Sequence, residues 1–139
     1  NGVVNVKTLP PARAFRPGVY WAVIESAELM AFQWRVSDAN PHGLCLRSRL
    51  LIDDVSDNLG PAMICDSIDV TNIARLRTVF EAAGLEFEPM AFEEQTAELA
   101  GREVEVVAKT ITPAQGRHAG KSKSVVSSWI VPSTPFEGE

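Results

Sequence analysis

Cationic and aromatic side chains lie close together in several parts of this sequence. Alternation of apolar and polar residues over 44–53 predicts a strand with Arg47 and Arg49 on one face. The stretch before this strand, and a polar stretch before the last apolar run, add further cations and rings. Cations bind phosphates, and each base stacked on a ring contributes about 1–3 kcal/mol. The sequence therefore predicts a groove for single-stranded nucleic acid, with these candidate residues: Trp21, Phe32, Trp34, Arg35, Arg47, Arg49, Arg117, Lys121 and Lys123.

These residues fall into three expected roles. Arg47 and Arg49 should contact backbone phosphates, the four loop cations should close over the strand, and the three rings should stack on bases. Each role has a structural alternative. The strand arginines could be a solvated face paired with neighbouring acids, and the Lys121–Lys123 run could be a soluble hairpin tip. The rings could pack into the core, or, for Trp21, against a helix.

The residue types also allow two kinds of metal site, one for zinc and one for hydrolysis. His42, Cys45, Cys65 and His118 could supply four zinc ligands, although their spacing lacks the paired knuckles of common zinc sites. A carboxylate cluster could bind a metal for hydrolysis, as in a metal-dependent nuclease; its candidates are Asp53, Asp54, Asp57, Asp66 and Asp69. The chain contains no phosphate-cradling glycine loop. We therefore predict that it is not an enzyme and has neither a metal nor a cofactor.

The element that must position these side chains is an unusually long first strand. Residues 17–32 open with a Pro-Gly breaker and are rich in β-branched and aromatic residues. Tyr20, Ala22 and Ile24 share one face, which we expect to point inward. The run is about twice the usual strand length, so a bend is predicted near residues 25–27. A long bent strand that pairs along both halves suggests a small closed barrel.

The remaining segments complete a mostly β pattern. Gln33 to Gly43 is predicted as a loop, and the helix over 72–84 has the apolar period and caps of a helix. Strands are predicted at 44–53, 61–66, 103–109 and 125–131, with a short second helix at 92–99. Three strands, a helix and two strands are the order of a five-stranded OB-fold barrel. We expect an extended arm at 1–16, the OB-fold domain at 17–132 and a tail at 133–139.

Composition limits the class of protein. The chain has 139 residues, 45% hydrophobic content and a net charge of −5. Residues 81–105 hold eight of its eighteen acids and one of its thirteen bases, so the acidity is segregated. No apolar run approaches a membrane span and no leader resembles a signal peptide, which predicts a cytoplasmic protein. The two cysteines, Cys45 and Cys65, are then expected to be buried, reduced thiols; the alternative is a disulfide between them. The chain begins without Met, so we expect it to have been trimmed.

The sequence resembles phage-encoded single-stranded DNA-binding proteins of replication and recombination modules. The resemblance spans residues 17–132. It rests on Gly18-x-Tyr20-x-Ala22-x-Ile24-x-x-Ala27-Glu28, Ala82-Ala83-Gly84, Leu99-x-Gly101-Arg102-x-Val104-x-Val106, and residues 125–132. It implies an OB-fold that coats single strands without sequence preference and has no catalytic residues. It also implies a host-cytoplasmic location and an acidic tail that recruits partners, to which Pro135-Phe136-Glu137-Gly138-Glu139 is similar.

The sequence thus predicts a non-enzymatic protein that binds single-stranded DNA. Replication or recombination proteins are the expected further partners, through the acidic segments, and a homodimer stays open. The alternative from another class is a phage structural, assembly or adaptor module that uses the barrel for protein contacts.

Overall fold

The computed structural model describes residue 10 and residues 13–55, 59–117 and 119–132. In this part of the chain, five strands form one antiparallel sheet in the order β3-β2-β1-β4-β5. The strands are β1 (Gly18–Ala31), β2 (Leu44–Ile52), β3 (Ala62–Asp69), β4 (Glu103–Ile111) and β5 (Lys123–Ile130). Helices α1 (Ile73–Ala82) and α2 (Phe92–Gln95) lie between β3 and β4, and 3-10 turns form at Gln33–Arg35 and Thr96–Glu98. The predicted all-β class is confirmed.

The bend predicted in β1 is present as a β-bulge. The register with β2 shifts between Ile24 and Ser26, at one end of the predicted 25–27 interval. The first part of β1 pairs with β4, the second part pairs with β2, and Val23 pairs with both. The extra residue changes which positions point inward, because side chains alternate along a strand. Ala22 and Ile24 face the core before the bulge, whereas Ala27 and Leu29 pack against it afterwards.

The turn that precedes β4 satisfies the backbone at this bulge. The Gly101 amide donates to the Ile24 carbonyl at 2.7 Å, and the Ile24 amide donates to the Arg102 carbonyl at 2.9 Å. These bonds extend the contact between β1 and the start of β4 to the point where β1 turns toward β2. One strand can therefore pair with both halves of the sheet while the amide and carbonyl of Ile24, next to the bulge, stay hydrogen-bonded.

Side chains link the two edge strands, β3 and β5. Asp66 of β3 accepts hydrogen bonds from Arg75 Nη2 at 2.9 Å and from Trp129 Nε1 of β5 at 2.7 Å. Arg75, on α1, also donates to the Val126 and Ser127 carbonyls of β5, both at 3.4 Å. Trp129 is buried. The first turn of α1 therefore connects the two edges of the sheet.

Helix α1 begins and ends as predicted. The Asn72 side chain accepts from the Arg75 amide, which caps the first turn, and Gly84 has a φ of 80°, which ends the helix. Leu76, Val79 and Phe80 are fully buried among the inward residues of the strands. The helix thus fills the core beneath the β3–β5 contact.

Several segments differ from the expectation. Strand β3 continues to Asp69 rather than ending at residue 66, because its last residues pair with β2 as far as Cys45. Strand β4 likewise continues to Ile111 rather than residue 109, β5 begins at Lys123 rather than residue 125, and the predicted helix at 92–99 is one helical turn followed by a 3-10 turn. Most of the predicted arm lies outside the described residues, but Phe15 is buried, and its amide and carbonyl both hydrogen-bond to the Ser124 hydroxyl. None of the helices described is long and apolar enough to cross a membrane.

Candidate nucleic-acid interface

The outward side chains of β1 after its bulge, together with those of the β2 and β3 residues in the same rows, form one surface, which we call the arginine face. Two rows of paired residues cross it: Glu28–Arg47–Ser67 and Ser26–Arg49–Cys65. Directly paired residues have Cβ atoms about 4.5–5.5 Å apart, and side chains two positions apart on one strand are about 7 Å apart. Arg47 and Arg49 therefore lie side by side at the centre of this face.

Both arginines of this face have free hydrogen-bonding capacity. Each is half-buried, and neither guanidinium forms a hydrogen bond or ion pair with any residue in the described part of the chain. Glu28 is opposite Arg47 in the register but does not form an ion pair with it. Among the described residues, the structure therefore does not show the alternative arrangement, in which neighbouring acidic side chains form ion pairs with these arginines. Their guanidinium donors are available to an anionic ligand.

The loop that follows β1 adds an exposed ring next to a cation. Trp34 is 69% exposed, and its ring lies 5.3 Å from that of Phe32. The Arg35 guanidinium carbon lies 4.6 Å from the Trp34 ring centroid. Arg35 also donates to the Ser67 carbonyl at 3.2 Å, which ties the loop to β3 beside the Arg47 row. The structure thus brings Phe32, Trp34 and Arg35 to the edge of the arginine face.

Asn40 holds this loop in its conformation. Its side-chain oxygen accepts from the Leu44 amide at 2.9 Å, and its Nδ2 donates to the Leu44 carbonyl at 2.9 Å and to Asp69 Oδ1 at 3.1 Å. Asn40 is itself buried. The loop is therefore preorganised, which lowers the entropy cost of presenting Trp34 to a ligand.

Gly43 closes the same loop at a position that tolerates no side chain. Its φ is 62°, and a Cβ there would lie 2.2 Å from the Phe32 carbonyl oxygen. The Phe32 amide donates to the Gly43 carbonyl at 2.8 Å. Because the backbones of Gly43 and Phe32 approach so closely, the point at which the chain leaves β1 is fixed, and with it the position of Trp34.

Asp69 is the anchor on the β3 side. The Thr71 amide donates to its Oδ1 at 2.9 Å and the Thr71 hydroxyl at 2.7 Å, in addition to the bond from Asn40. These hydrogen bonds, with those from Thr71 contributing most, hold the pKa of Asp69 below its ordinary value of 3.8. Its carboxylate is therefore charged at neutral pH and holds the loop against β3.

The cations of the β4–β5 hairpin lie elsewhere. Arg117, Lys121 and Lys123 are all exposed. The register pairs Ala108, near the end of β4, with Gly18, so this hairpin lies at the opposite end of β1 from Trp34. The structure therefore does not bring the hairpin cations together with Trp34 and Arg35.

Trp21 also lies away from the arginine face. It is 64% exposed on the part of β1 that pairs with β4, directly opposite Glu105. With Val19, Val23 and Leu51 it lines a groove of about 490 Å³, which also contains three carboxylates: Asp53, Asp54 and Glu103. We call this the Trp21 groove. Trp21 is thus surrounded by negative charge, unlike Trp34.

The residues that the structure describes do not form either of the two metal sites that the sequence allows. No group of three or more His, Cys, Asp or Glu side chains in the described ranges is arranged to hold a metal ion, and His118 and Asp57 lie outside those ranges. Cys45 pairs with Asp69 and Cys65 with Arg49, so the cysteines are four positions apart in the register, about 13 Å, which is too far for a disulfide. Burial raises the pKa of the Cys45 thiol.

Sequence reasoning missed the residues that position the site. Asn40 lies in Asn-Pro-His-Gly, which signals a turn but not the contact with Asp69, 29 residues away. Ser67 was not a candidate, and Cys65 was considered only as a zinc ligand, although they lie opposite Arg47 and Arg49. The alternation of outward and inward residues is the signal that could have found both, although Ser67 lies beyond the predicted end of the strand at residue 66.

Comparison with known proteins adds no relative. No family model matches the chain, and no curated protein matches its sequence.

Proposed function

We propose that this protein binds single-stranded DNA without sequence preference across its arginine face. The observation that carries the proposal is the exposed Trp34–Arg35 stack beside Arg47 and Arg49, which have no partner among the described residues. Stacking rings and unpaired cations on one surface are the two components that single-strand binding requires. Phosphates would contact Arg47 and Arg49, and a base would stack on Trp34.

The topology supports an OB-type barrel as the scaffold. The sheet order places β3 and β5 at its edges, and Asp66, Arg75 and Trp129 connect those edges. OB-folds bind oligonucleotides on the face of strands 2 and 3 and in the loop that joins strands 1 and 2. The arginine face and the Trp34 loop occupy the corresponding positions, which favours this fold over other five-stranded sheets.

The character of the contacts favours binding without sequence preference. Every base has a face that can stack on Trp34, and phosphates are identical along the chain. The preorganised loop favours a ligand that fits a fixed ring, as an unpaired base does, over a duplex whose bases are already stacked. The resemblance to phage proteins is the basis for assigning this activity to phage DNA replication or recombination in the host cytoplasm, without catalysis.

A titration with a fluorescein-labelled dT oligomer tests the proposal. Binding should weaken steeply with salt, because each phosphate that a cation neutralises contributes about 0.7 to the slope of log K against log salt for a single strand. Replacing Arg47 and Arg49 together, as Arg47→Ala with Arg49→Ala, should lower that slope by about 1.4. Arg77→Ala with Arg102→Ala is the matched control, since it removes the same charge from exposed positions outside the arginine face.

Three outcomes would contradict the proposal. The first is no binding at low salt, which would favour an assembly or adaptor role. The second is an equal loss of slope in the control, which would mean that only net charge matters. The third is cleavage of the oligomer on addition of Mg²⁺, which would favour the hypothesis of a metal-dependent nuclease. A separate pair, Lys121→Ala with Lys123→Ala, tests the prediction that the hairpin also contacts the strand.

A further inference from the structure

The Trp21 groove is a second exposed surface, and the single-strand site does not use it. Its floor is apolar: Val19 is 55% exposed and Trp21 64%, with Val23 and Leu51 beside them. Val23 joins the three strands that form this floor, because it pairs with Leu51 of β2 and with Glu103 of β4. The floor is thus built on the rigid centre of the sheet rather than on a loop.

The rim of the groove is acidic. Asp53, Asp54 and Glu103 contribute carboxylates, against one guanidinium from Arg16, and Glu105 is paired with Trp21 itself. Asp53 and Glu103 are exposed, and neither forms an ion pair with a residue that the structure describes. This charge repels phosphate and attracts cations, and the face of an exposed indole also attracts cations.

We propose that the Trp21 groove binds a short peptide segment of a partner protein in which basic residues alternate with apolar ones. A Lys or Arg of the segment lies over the Trp21 ring between Glu103 and Glu105. An apolar side chain of the segment contacts Val19, Val23 or Leu51. The complementarity of charge selects this occupant over an acidic peptide or a nucleic acid, and the exposed indole selects it over a simple cation.

The two sites can be occupied together. On β2, Leu51 belongs to the groove and Arg49, two positions away, belongs to the arginine face, so the sites adjoin without sharing a residue. A partner held in the groove would lie next to bound single-stranded DNA. The groove does not depend on the proposed DNA binding, because its residues and charges are separate.

The tryptophan side chains allow each surface to be monitored separately. The chain has three tryptophans: Trp21 in the groove, Trp34 at the arginine face and Trp129 in the buried contact with Asp66. Their indole N–H signals in a ¹⁵N-labelled protein can be assigned with Trp21→Phe and Trp34→Phe. The probe is the peptide acetyl-Lys-Leu-Lys-Val-Lys-amide, with acetyl-Glu-Leu-Glu-Val-Glu-amide and acetyl-Lys-Gly-Lys-Gly-Lys-amide as controls.

The basic apolar peptide should shift the Trp21 signal saturably and leave those of Trp34 and Trp129 in place. Asp53→Asn with Glu103→Gln should weaken its binding about three- to tenfold, as expected for two exposed charge contacts. Glu86→Gln with Glu88→Gln removes the same charge from exposed positions outside the groove and should change nothing. The glycine peptide should bind more weakly, because it lacks apolar side chains.

The proposal fails if the peptide does not move the Trp21 signal, or if the two pairs of charge variants weaken binding equally. It also fails if the Trp21 signal responds to protein concentration, which would make a second copy the occupant, or to a dT oligomer, which would make Trp21 part of the DNA site. The DNA proposal is judged separately, by the response of the Trp34 signal to the oligomer.

Discussion

Replacing Trp34 with alanine should weaken oligomer binding while the fold stays intact. Trp34 is 69% exposed and contacts mainly Phe32 and Arg35, so the free energy of unfolding should change by less than about 0.5 kcal/mol. Loss of one stacked base costs about 1–3 kcal/mol of binding free energy. The dissociation constant of a dT oligomer of about 12 nucleotides should therefore rise by a factor of about 5 to 150.

The assay should be the anisotropy of a labelled oligomer, because Trp34 is itself a fluorophore of the protein. Trp34→Phe, which keeps a smaller ring, should recover part of the affinity. Trp21→Ala is the matched control: it removes a ring of similar exposure (64%) from the acidic groove, and its dissociation constant for the oligomer should stay within about twofold.

A double-mutant cycle tests whether Trp34 and Arg35 act as a unit. The Arg35 guanidinium lies over the Trp34 ring, so the ring and the cation should orient each other. Arg35→Ala and Trp34→Ala should therefore be non-additive, with a coupling free energy of about 0.5–1 kcal/mol. Equal losses in Trp34→Ala and Trp21→Ala, or no loss in Trp34→Ala, would refute the reasoning that this loop presents a base-stacking ring.

Three further predictions concern the scaffold. Arg75→Met leaves the Asp66 carboxylate of β3 without its ion pair and should lower the free energy of unfolding, measured in urea, by about 2–3 kcal/mol. Arg77→Met, on the same helix, should lower it far less. Gly43→Ala forces a Cβ against a backbone oxygen at 2.2 Å and should cost about 1–3 kcal/mol of stability and weaken oligomer binding. Hydrogen bonds from Thr71 lower the pKa of Asp69, so its charged carboxylate stabilises the folded protein fully above pH 3.8, and this stabilisation is lost as the pH falls through the lowered pKa. Asp69→Asn should remove this acid dependence of the free energy of unfolding, measured in urea titrations below pH 4.

Local patterns in the sequence predicted much of the scaffold. The alternation of Tyr20, Ala22 and Ile24 gave the inward face of β1, and the excessive length of that strand indicated its bend, because a bulge is how a long strand changes direction. Asn72 and Gly84 marked the ends of α1 by their capping chemistry. These features depend on residues close together in the chain.

The sequence did not reveal how segments far apart in the chain are aligned with one another. Glu105 lies opposite Trp21, and Asn40 contacts Asp69, only because distant strands meet in one alignment. Asp69 has low strand propensity, yet pairing with β2 extends β3 to this residue. For the same reason Trp21 and Trp34, both exposed and aromatic, could not be distinguished until the charge around each was known.

Protection of Cys65 from alkylation tests the central claim most directly. Cys65 is partly exposed and is paired with Arg49, whereas Cys45 is fully buried and serves as an internal control. The account predicts that a saturating dT oligomer slows the reaction of Cys65 with N-ethylmaleimide, and that high salt restores the rate as the oligomer dissociates. An unchanged rate at saturation would mean that the strand binds elsewhere and would contradict the assignment of the arginine face.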